Sequence, residues 1–134
     1  MKIAIVGGAS TYTPEFVDGI ARLGLGVTEL ALMDPNGERL AVVAALCQRM
    51  LARAGSECVV SPTSDLEAAA VGSAAVLLQL RVGGQAARDR DETWPLECGC
   101  IGQETTGAGG LAKALSEVPF AGDVKHFDGF VDHL

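Results

Sequence analysis

The chain has 134 residues and a formal net charge of −7, from 17 acidic and 10 basic side chains, so its mean field repels nucleic-acid phosphates and anionic lipid. This length suits one hydrophobic core, and a hydrophobic fraction of 49% with only 4% aromatic residues favours an α/β core of small aliphatic side chains. Neither nucleic acid nor a membrane is therefore expected as a partner.

The cysteines are too few and too scattered for the disulfide framework of a secreted protein, and the first apolar run is too short for a signal peptide. A cytoplasmic location with reduced thiols is therefore expected. Cys98 and Cys100 form a C-x-C pair, but no His or second Cys pair stands at zinc-like spacing, which favours two small loop residues. No metal ligand is predicted.

The first strand and helix are predicted from a change of pattern after residue 6. Residues 2–6 form an apolar run that ends in Gly7-Gly8, which indicates a strand followed by a tight turn. Thr13 as N-cap and Pro14 at the first helical position are typical of a helix start. The apolar face of this helix and its terminating glycine are predicted at Phe16, Ile20, Leu23 and Gly24.

The same alternation continues to residue 80 and predicts a β-α-β-α-β-α-β chain. A strand at 29–33 ends at Asp34, and apolar residues at helical spacing over 40–54 predict a long helix with Cys47 in the core. The remaining elements are a strand at 58–60, a helix at 65–70 and an apolar strand at 74–80 suited to the middle of a parallel sheet. Right-handed crossovers then give strand order 3-2-1-4, a truncated, Rossmann-like doubly wound α/β fold.

The chain beyond Leu80 is predicted to be polar and irregular through Gly110, with one further helix over about 111–118. Glycines and polar residues break any apolar face after Pro119. We therefore predict one dinucleotide-binding domain over 1–119 and a divergent tail over 120–134. The open sheet edge of such a domain suggests a homo-oligomer.

The turn between the first strand and helix is typical of a pyrophosphate-binding site, because backbone N–H groups and the positive end of a helix converge there. Its candidate residues are Gly7, Gly8, Ser10 and Thr11. The turn departs from G-x-G-x-x-G, since Ala9 and Tyr12 occupy the later glycine positions, so a tight structural turn is the alternative.

A carboxylate at the end of the second strand strengthens this interpretation. Asp34 follows Gly8 by 26 residues, where a carboxylate accepts both hydroxyls of an adenine ribose and repels a 2′-phosphate. NAD is therefore preferred over NADP. The alternative is an ordinary strand-end Asp before Pro35.

Two arginines and a glycine-rich segment follow the fourth strand. Arg81 and Arg88 are candidates for an anionic substrate, against the alternative of solvated surface arginines. Residues 101–110 contain four glycines, which packing does not require in a loop. This loop is therefore expected to line a site.

These motifs, in order and at their spacing, resemble glycoside hydrolase family 4, nearest to its 6-phospho-β-glucosidase branch. The resemblance covers about residues 2–119. Its matching segments are residues 2–14, Asp34, Arg81-Val82-Gly83-Gly84, Arg88, Pro95-Leu96, Gly102-Gln103-Glu104-Thr105, Gly107 and Gly109-Gly110.

The resemblance implies hydrolysis of 6-phospho-glycosides by a redox route, with NAD and a divalent metal, usually manganese. Hydride removal from the sugar acidifies a neighbouring proton, which a tyrosine base takes before the aglycone leaves. The dinucleotide would lie on the glycine turn and Asp34, and the phosphorylated glycoside near Arg88 and Arg81. Glu104 would match the acidic residue that raises the basicity of that tyrosine.

The departures from the family pattern concern catalysis. Ala9 replaces a family glycine, and the metal-binding Cys and His, an Asn-Pro segment and the tyrosine base lie downstream of residue 134. Tyr12 is the only tyrosine of the chain, and it lies in the glycine turn. We therefore expect a truncated glycosidase that is inactive alone, with a stand-alone NAD-binding module or the coenzyme domain of a 2-hydroxy-acid dehydrogenase as alternatives.

Overall fold

The structure, a computed structural model, describes residues 1–124, except the side chains of Ser116 and of residues 118–124. The chain divides into two compact units, of which the first comprises Met1–Leu80 and the second begins at Arg81. Within the described residues, no helix combines the length and the hydrophobicity needed to cross a bilayer.

The first unit is a parallel four-stranded sheet with helices between its strands, as predicted. Its strands run in the order β3-β2-β1-β4, which confirms the α/β class and the predicted topology. The elements are β1 (Lys2–Val6), α1 (Thr13–Leu23), β2 (Glu29–Met33), α2 (Gly37–Arg53), β3 (Val59–Thr63), α3 (Leu66–Ala70) and β4 (Ala75–Leu78).

The core of this unit lies on the two central strands. Side chains alternate between the faces of a strand, so Ile5 and Leu32, which are paired in register and fully buried, point to the same face. That face packs with buried residues of α1 and α2, including Val17 and Cys47. Burial of each large aliphatic side chain contributes roughly 1.5–3 kcal/mol, so this layer holds the ends of β1 and β2 in place.

Three details of the first unit differ from the sequence prediction. Tyr12, not Thr13, is the N-cap of α1. Leu23 is 72% exposed because the buried stripe of α1 runs through positions 13, 17 and 20 toward Gly24, and Leu23 lies beside it. β3 is longer than 58–60 and includes Pro62, which is tolerated because β3 is an edge strand.

The fourth strand also lies elsewhere than its apolar pattern suggested. β4 forms the other edge of the four-stranded sheet rather than its middle, and its residues are half-buried or exposed. The run is also not wholly apolar, because Gln79 follows the strand directly.

The second unit contains two helices, α4 (Gly84–Glu97) and α5 (Gly107–Val124), which pack against each other. The prediction of an irregular chain through Gly110 was therefore wrong. It failed because α4 has no apolar stripe, so helical periodicity could not reveal it. The last helix was expected over 111–118, but α5 starts earlier and continues through Pro119 to Val124. Of the predicted tail, residues 125–134 lie outside the described chain.

Candidate functional site

The glycines of the first turn allow it to pack closely on two strand ends. Gly7 has φ +87°, and an added Cβ there would lie 2.4 Å from the Gln79 carbonyl oxygen. At Gly8 an added Cβ would lie 2.8 Å from the Leu32 Cβ. The N–H groups of both glycines donate to the Met33 carbonyl, at 2.9 and 2.8 Å. These two amides therefore fasten the turn to β2 and are not the free donors that the sequence suggested.

The backbone donor that the turn leaves to a ligand is the N–H of Thr11. In the described part of the chain it donates to no protein acceptor, whereas the neighbouring Ser10 and Tyr12 N–H groups bond to the Gly7 carbonyl and the Ser10 hydroxyl. Thr11 and Tyr12 are exposed, and α1 begins at the next residue. The positive end of the helix dipole and an open amide thus face solvent together, which suits an anion.

The structure brings Asp34 directly to this turn. Its Oδ2 accepts the Ala9 N–H at 3.1 Å, and its Oδ1 accepts the Asn36 N–H at 2.9 Å. The carboxylate is half-buried, and each of its oxygens keeps a second lone pair for another donor. The glycine turn and the acid therefore lie together at the carboxyl ends of β1 and β2. There the carboxylate can accept hydrogen bonds from the hydroxyl groups of a ligand.

A third contact of the turn was missed by sequence reasoning. The side-chain Nε2 of Gln79 donates to the Thr13 Oγ1 and, at 3.4 Å, to the Gly7 carbonyl. Thr13 is fully buried, so its hydroxyl depends on this partner. The one signal in the sequence was a glutamine inside an otherwise apolar run at 74–80.

In the second unit, Arg81, Arg88 and Glu104 come together as one ion-pair cluster. Glu104 pairs with the Arg81 Nη2 through Oε1 and with the Arg88 Nη2 through Oε2, the latter at 2.9 Å. The Lys113 Nζ lies 3.9 Å from the Glu104 Oε1. Glu104 is therefore surrounded by three cations, and its carboxylate orients two guanidinium groups at once.

Two further carboxylates hold the arginines from α4. The Asp91 Oδ2 lies 4.0 Å from the Arg81 Nη1, and the Glu92 Oε1 accepts the Arg88 Nε at 2.8 Å. Sequence reasoning missed both because the helical spacing from Arg88 becomes visible only once α4 is known. The Arg81 side chain is 17% exposed and that of Arg88 is 44% exposed, so Arg88 is the more accessible to an incoming anion.

Two glycines of the segment 101–110 serve packing, so the premise that packing does not require its glycines was wrong for Gly102 and Gly109. An added Cβ at Gly102 would lie 1.7 Å from the Glu92 carbonyl oxygen, and one at Gly109 would lie 2.1 Å from the Asp91 carbonyl oxygen. Only glycine permits such close approach to the backbone of α4. These glycines thereby place Glu104 next to the arginines.

The cysteines fall into two environments. Cys47 and Cys58 are buried, and burial raises the pKa of both thiols. Cys98 and Cys100 are exposed at the end of α4. Within the described residues no three His, Cys, Asp or Glu side chains are grouped as a metal site would require.

A model of the family 4 glycosyl hydrolases matches residues 2–126. The chain belongs to this family. The match continues past residue 119, where the sequence resemblance was expected to end. The chain is 41% identical to a 6-phospho-β-glucosidase of Escherichia coli over 128 residues, which covers 92% of this chain and 28% of that protein. It is 40% identical to a 6-phospho-α-glucosidase of Lacticaseibacillus paracasei, with 88% and 27% covered.

A solved family structure agrees with these relatives. The 6-phospho-β-glucosidase of Thermotoga maritima, solved with manganese, NAD⁺ and glucose-6-phosphate, superposes with a TM-score of 0.86 at 35% identity, over 93% of this chain and 31% of that one. A lactate dehydrogenase of Cryptosporidium parvum, at 19% identity and a TM-score of 0.51, shares the fold alone. The chain thus spans less than a third of the family proteins that it matches.

Proposed function

We propose that this chain is the dinucleotide-binding part of a family 4 6-phospho-glycosidase and that it binds NAD at the glycine turn. The observation that carries the proposal is the hydrogen bond between the Ala9 N–H and the Asp34 Oδ2, which joins the turn to the acid of β2. The Thr11 N–H and the start of α1 would hold the diphosphate, and Asp34 would accept hydrogen bonds from the hydroxyls of the adenine ribose.

The residues present fit this cofactor. The open amide of Thr11 and the second lone pairs of Asp34 supply one donor and two acceptors at the same edge of the sheet. A 2′-phosphate would meet the Asp34 carboxylate, so NAD is preferred over NADP. When bound, NAD supplies a hydride acceptor that can later return the hydride.

The cluster around Glu104 is proposed to contribute to the substrate site. Arg88, which is accessible and oriented by Glu92 and Glu104, would bind the phosphate of a 6-phospho-glycoside. Arg81, which lies between Asp91 and Glu104, would hold the Glu104 carboxylate in its position. By resemblance to the family, Glu104 would raise the basicity of a tyrosine base. The proposal assigns no metal ligand among the described residues.

The substrate class is proposed at the level of 6-phospho-glucosides, with the β-anomer preferred. The α- and β-specific relatives are almost equally similar to this chain, so its anomeric preference rests on the sequence resemblance. A cytoplasmic location and self-association belong to the same proposal.

Titration calorimetry with NAD and with NADP tests the cofactor assignment. We expect NAD to bind and NADP to bind at least tenfold more weakly. A folded chain that binds neither cofactor would contradict the proposal.

Replacement of Asp34 by Ala tests the residue that carries the proposal. Asp34→Ala should weaken NAD binding at least about tenfold, because it removes acceptors for the ribose hydroxyls, worth roughly 1.5–3 kcal/mol. Asp18→Ala is the matched control, since Asp18 is a half-exposed acid of α1 that pairs only with Arg22 in the described structure. Unchanged NAD affinity in Asp34→Ala would remove Asp34 from the site.

A further inference from the structure

The position of Gln79 is fixed at the end of β4. Its backbone N–H donates to the Val6 carbonyl at 2.9 Å, which places it beside the last residue of β1. Its side-chain amide donates to the Gly7 carbonyl and to the Thr13 Oγ1. One glutamine therefore contacts both the beginning of the glycine turn and the first residue of α1.

The contact with Thr13 is the more consequential of the two. Among the described residues with polar or charged side chains, Thr13 alone is buried. A buried hydroxyl without a hydrogen-bond partner is unfavourable, so the contact with Gln79 stabilises the start of the helix. The amide thus couples the end of β4 to the residue that begins α1.

The glycine turn is held from two sides. Asp34 holds the Ala9 N–H from β2, and Gln79 holds the Gly7 carbonyl and Thr13 from the end of β4. We infer that Gln79 is a positioning residue of the dinucleotide site, which keeps the turn in the shape that presents the Thr11 N–H to a diphosphate. The inference rests on the proposed NAD function for its ligand, and it assigns to Gln79 no contact with that ligand.

Gln79→Met tests the inference because it keeps the side-chain length and removes the N–H donors. ADP-ribose and adenosine are the probes, since only ADP-ribose carries the diphosphate. We expect Gln79→Met to weaken ADP-ribose binding roughly five- to tenfold, the effect of one lost hydrogen bond, and to leave adenosine binding unchanged. Loss of stability alone would not separate the two probes. Equal ADP-ribose affinity in Gln79→Met and the unmodified chain would overturn the inference.

A matched control and a second variant isolate the route through the turn. Gln85→Met makes the same change at an exposed glutamine of α4 and should alter neither affinity. Thr13→Val removes the hydroxyl at nearly constant volume and should reproduce part of the loss. In the double variant with Gln79→Met, the loss should be smaller than the sum of the single losses. Additive losses would overturn the coupling between Gln79 and Thr13.

Amide hydrogen exchange without ligand separates failure of the inference from failure of the proposed function. The Ser10 and Thr13 N–H groups donate to carbonyls within the turn, so their exchange should be faster in Gln79→Met than in the unmodified chain. Unchanged exchange would overturn the inference. Absence of NAD and ADP-ribose binding in the unmodified chain would instead overturn the proposed function, and the exchange measurement would still decide the role of Gln79.

Discussion

The two units of the chain are stabilised by different kinds of interaction. The first is held by a sheet whose central strands are largely buried among aliphatic side chains, and hydrogen bonds join its strands and shape its turn. Few of the described side chains of the second unit are buried, and this unit is organised by backbone-to-glycine contacts and by ion pairs around Glu104. Substitutions of glycines and charged residues should therefore lower the stability of the second unit most. The stability of the first unit should instead depend mainly on its buried apolar layer.

The largest effect is expected from a glycine of the second unit. Gly102→Ala places a Cβ against the Glu92 carbonyl, which cannot retreat without bending α4, and should lower the free energy of unfolding by about 3 kcal/mol. The fluorescence of Trp94, the only tryptophan and a residue of α4, reports this unit during urea unfolding.

The control for Gly102 lies in the first unit. Gly19, within α1, has nothing within 4 Å of an added Cβ, so Gly19→Ala should raise the free energy of unfolding by about 0.5–1 kcal/mol. If both variants change the free energy of unfolding by similar amounts in the same direction, close glycine contacts do not distinguish the second unit from the first.

Removal of charge from the ion-pair cluster should have the next largest effect. Glu104→Gln keeps the shape of the side chain but leaves the largely buried Arg81 guanidinium with only the Asp91 carboxylate, 4.0 Å away, so we expect a loss of about 2 kcal/mol. Urea unfolding monitored by Trp94 fluorescence measures it.

An exposed ion pair of the first unit provides the comparison. Asp18→Asn breaks the Asp18–Arg22 pair, whose side chains are 50% and 74% exposed, and should change stability by no more than about 0.5 kcal/mol. A Glu104→Gln effect as small as this would show that the cluster is a solvated surface network.

The smallest perturbation is chemical labelling of the thiols. Cys98 and Cys100 should react quickly with a maleimide in the folded chain, whereas Cys47 and Cys58 should react only on unfolding. Mass spectrometry after timed quenching counts the labels. Four equally fast labels would contradict the burial of the first unit's core.

The same burial predicts a pH dependence of stability. Because the pKa of the Cys47 and Cys58 thiols is raised in the folded state, unfolding releases protons once the pH exceeds the ordinary thiol value. The unfolding free energy should therefore fall as the pH rises above that value, and urea titrations at increasing alkaline pH measure the decrease.

Sequence reasoning succeeded where periodicity reflects burial. β1 and β2 were predicted over their full observed ranges, and the parallel order followed from short apolar strands that alternate with helices. It failed at α4, whose stability does not depend on an apolar stripe, so the pattern resembled a loop.

The candidate site shows the same division. The sequence spacing predicted that Asp34 lies near the glycine turn, because the carboxyl ends of adjacent parallel strands lie side by side. The structure places the two in contact. It could not show that the Gly7 and Gly8 amides are used within the fold, nor that Gln79 contacts the turn. Those facts depend on which atoms meet between distant parts of the chain, 72 residues apart for Gln79 and Gly7, and residue type alone does not encode them.

The two borders of the sheet differ in their capacity for strand addition. Pro62 lies within β3, and a proline supplies no N–H to an incoming strand, so that border resists edge-to-edge aggregation. β4 carries no proline, and Leu78 at its end is 45% exposed. Growth of this sheet by recruitment of another polypeptide should therefore proceed in one direction only, outward from β4.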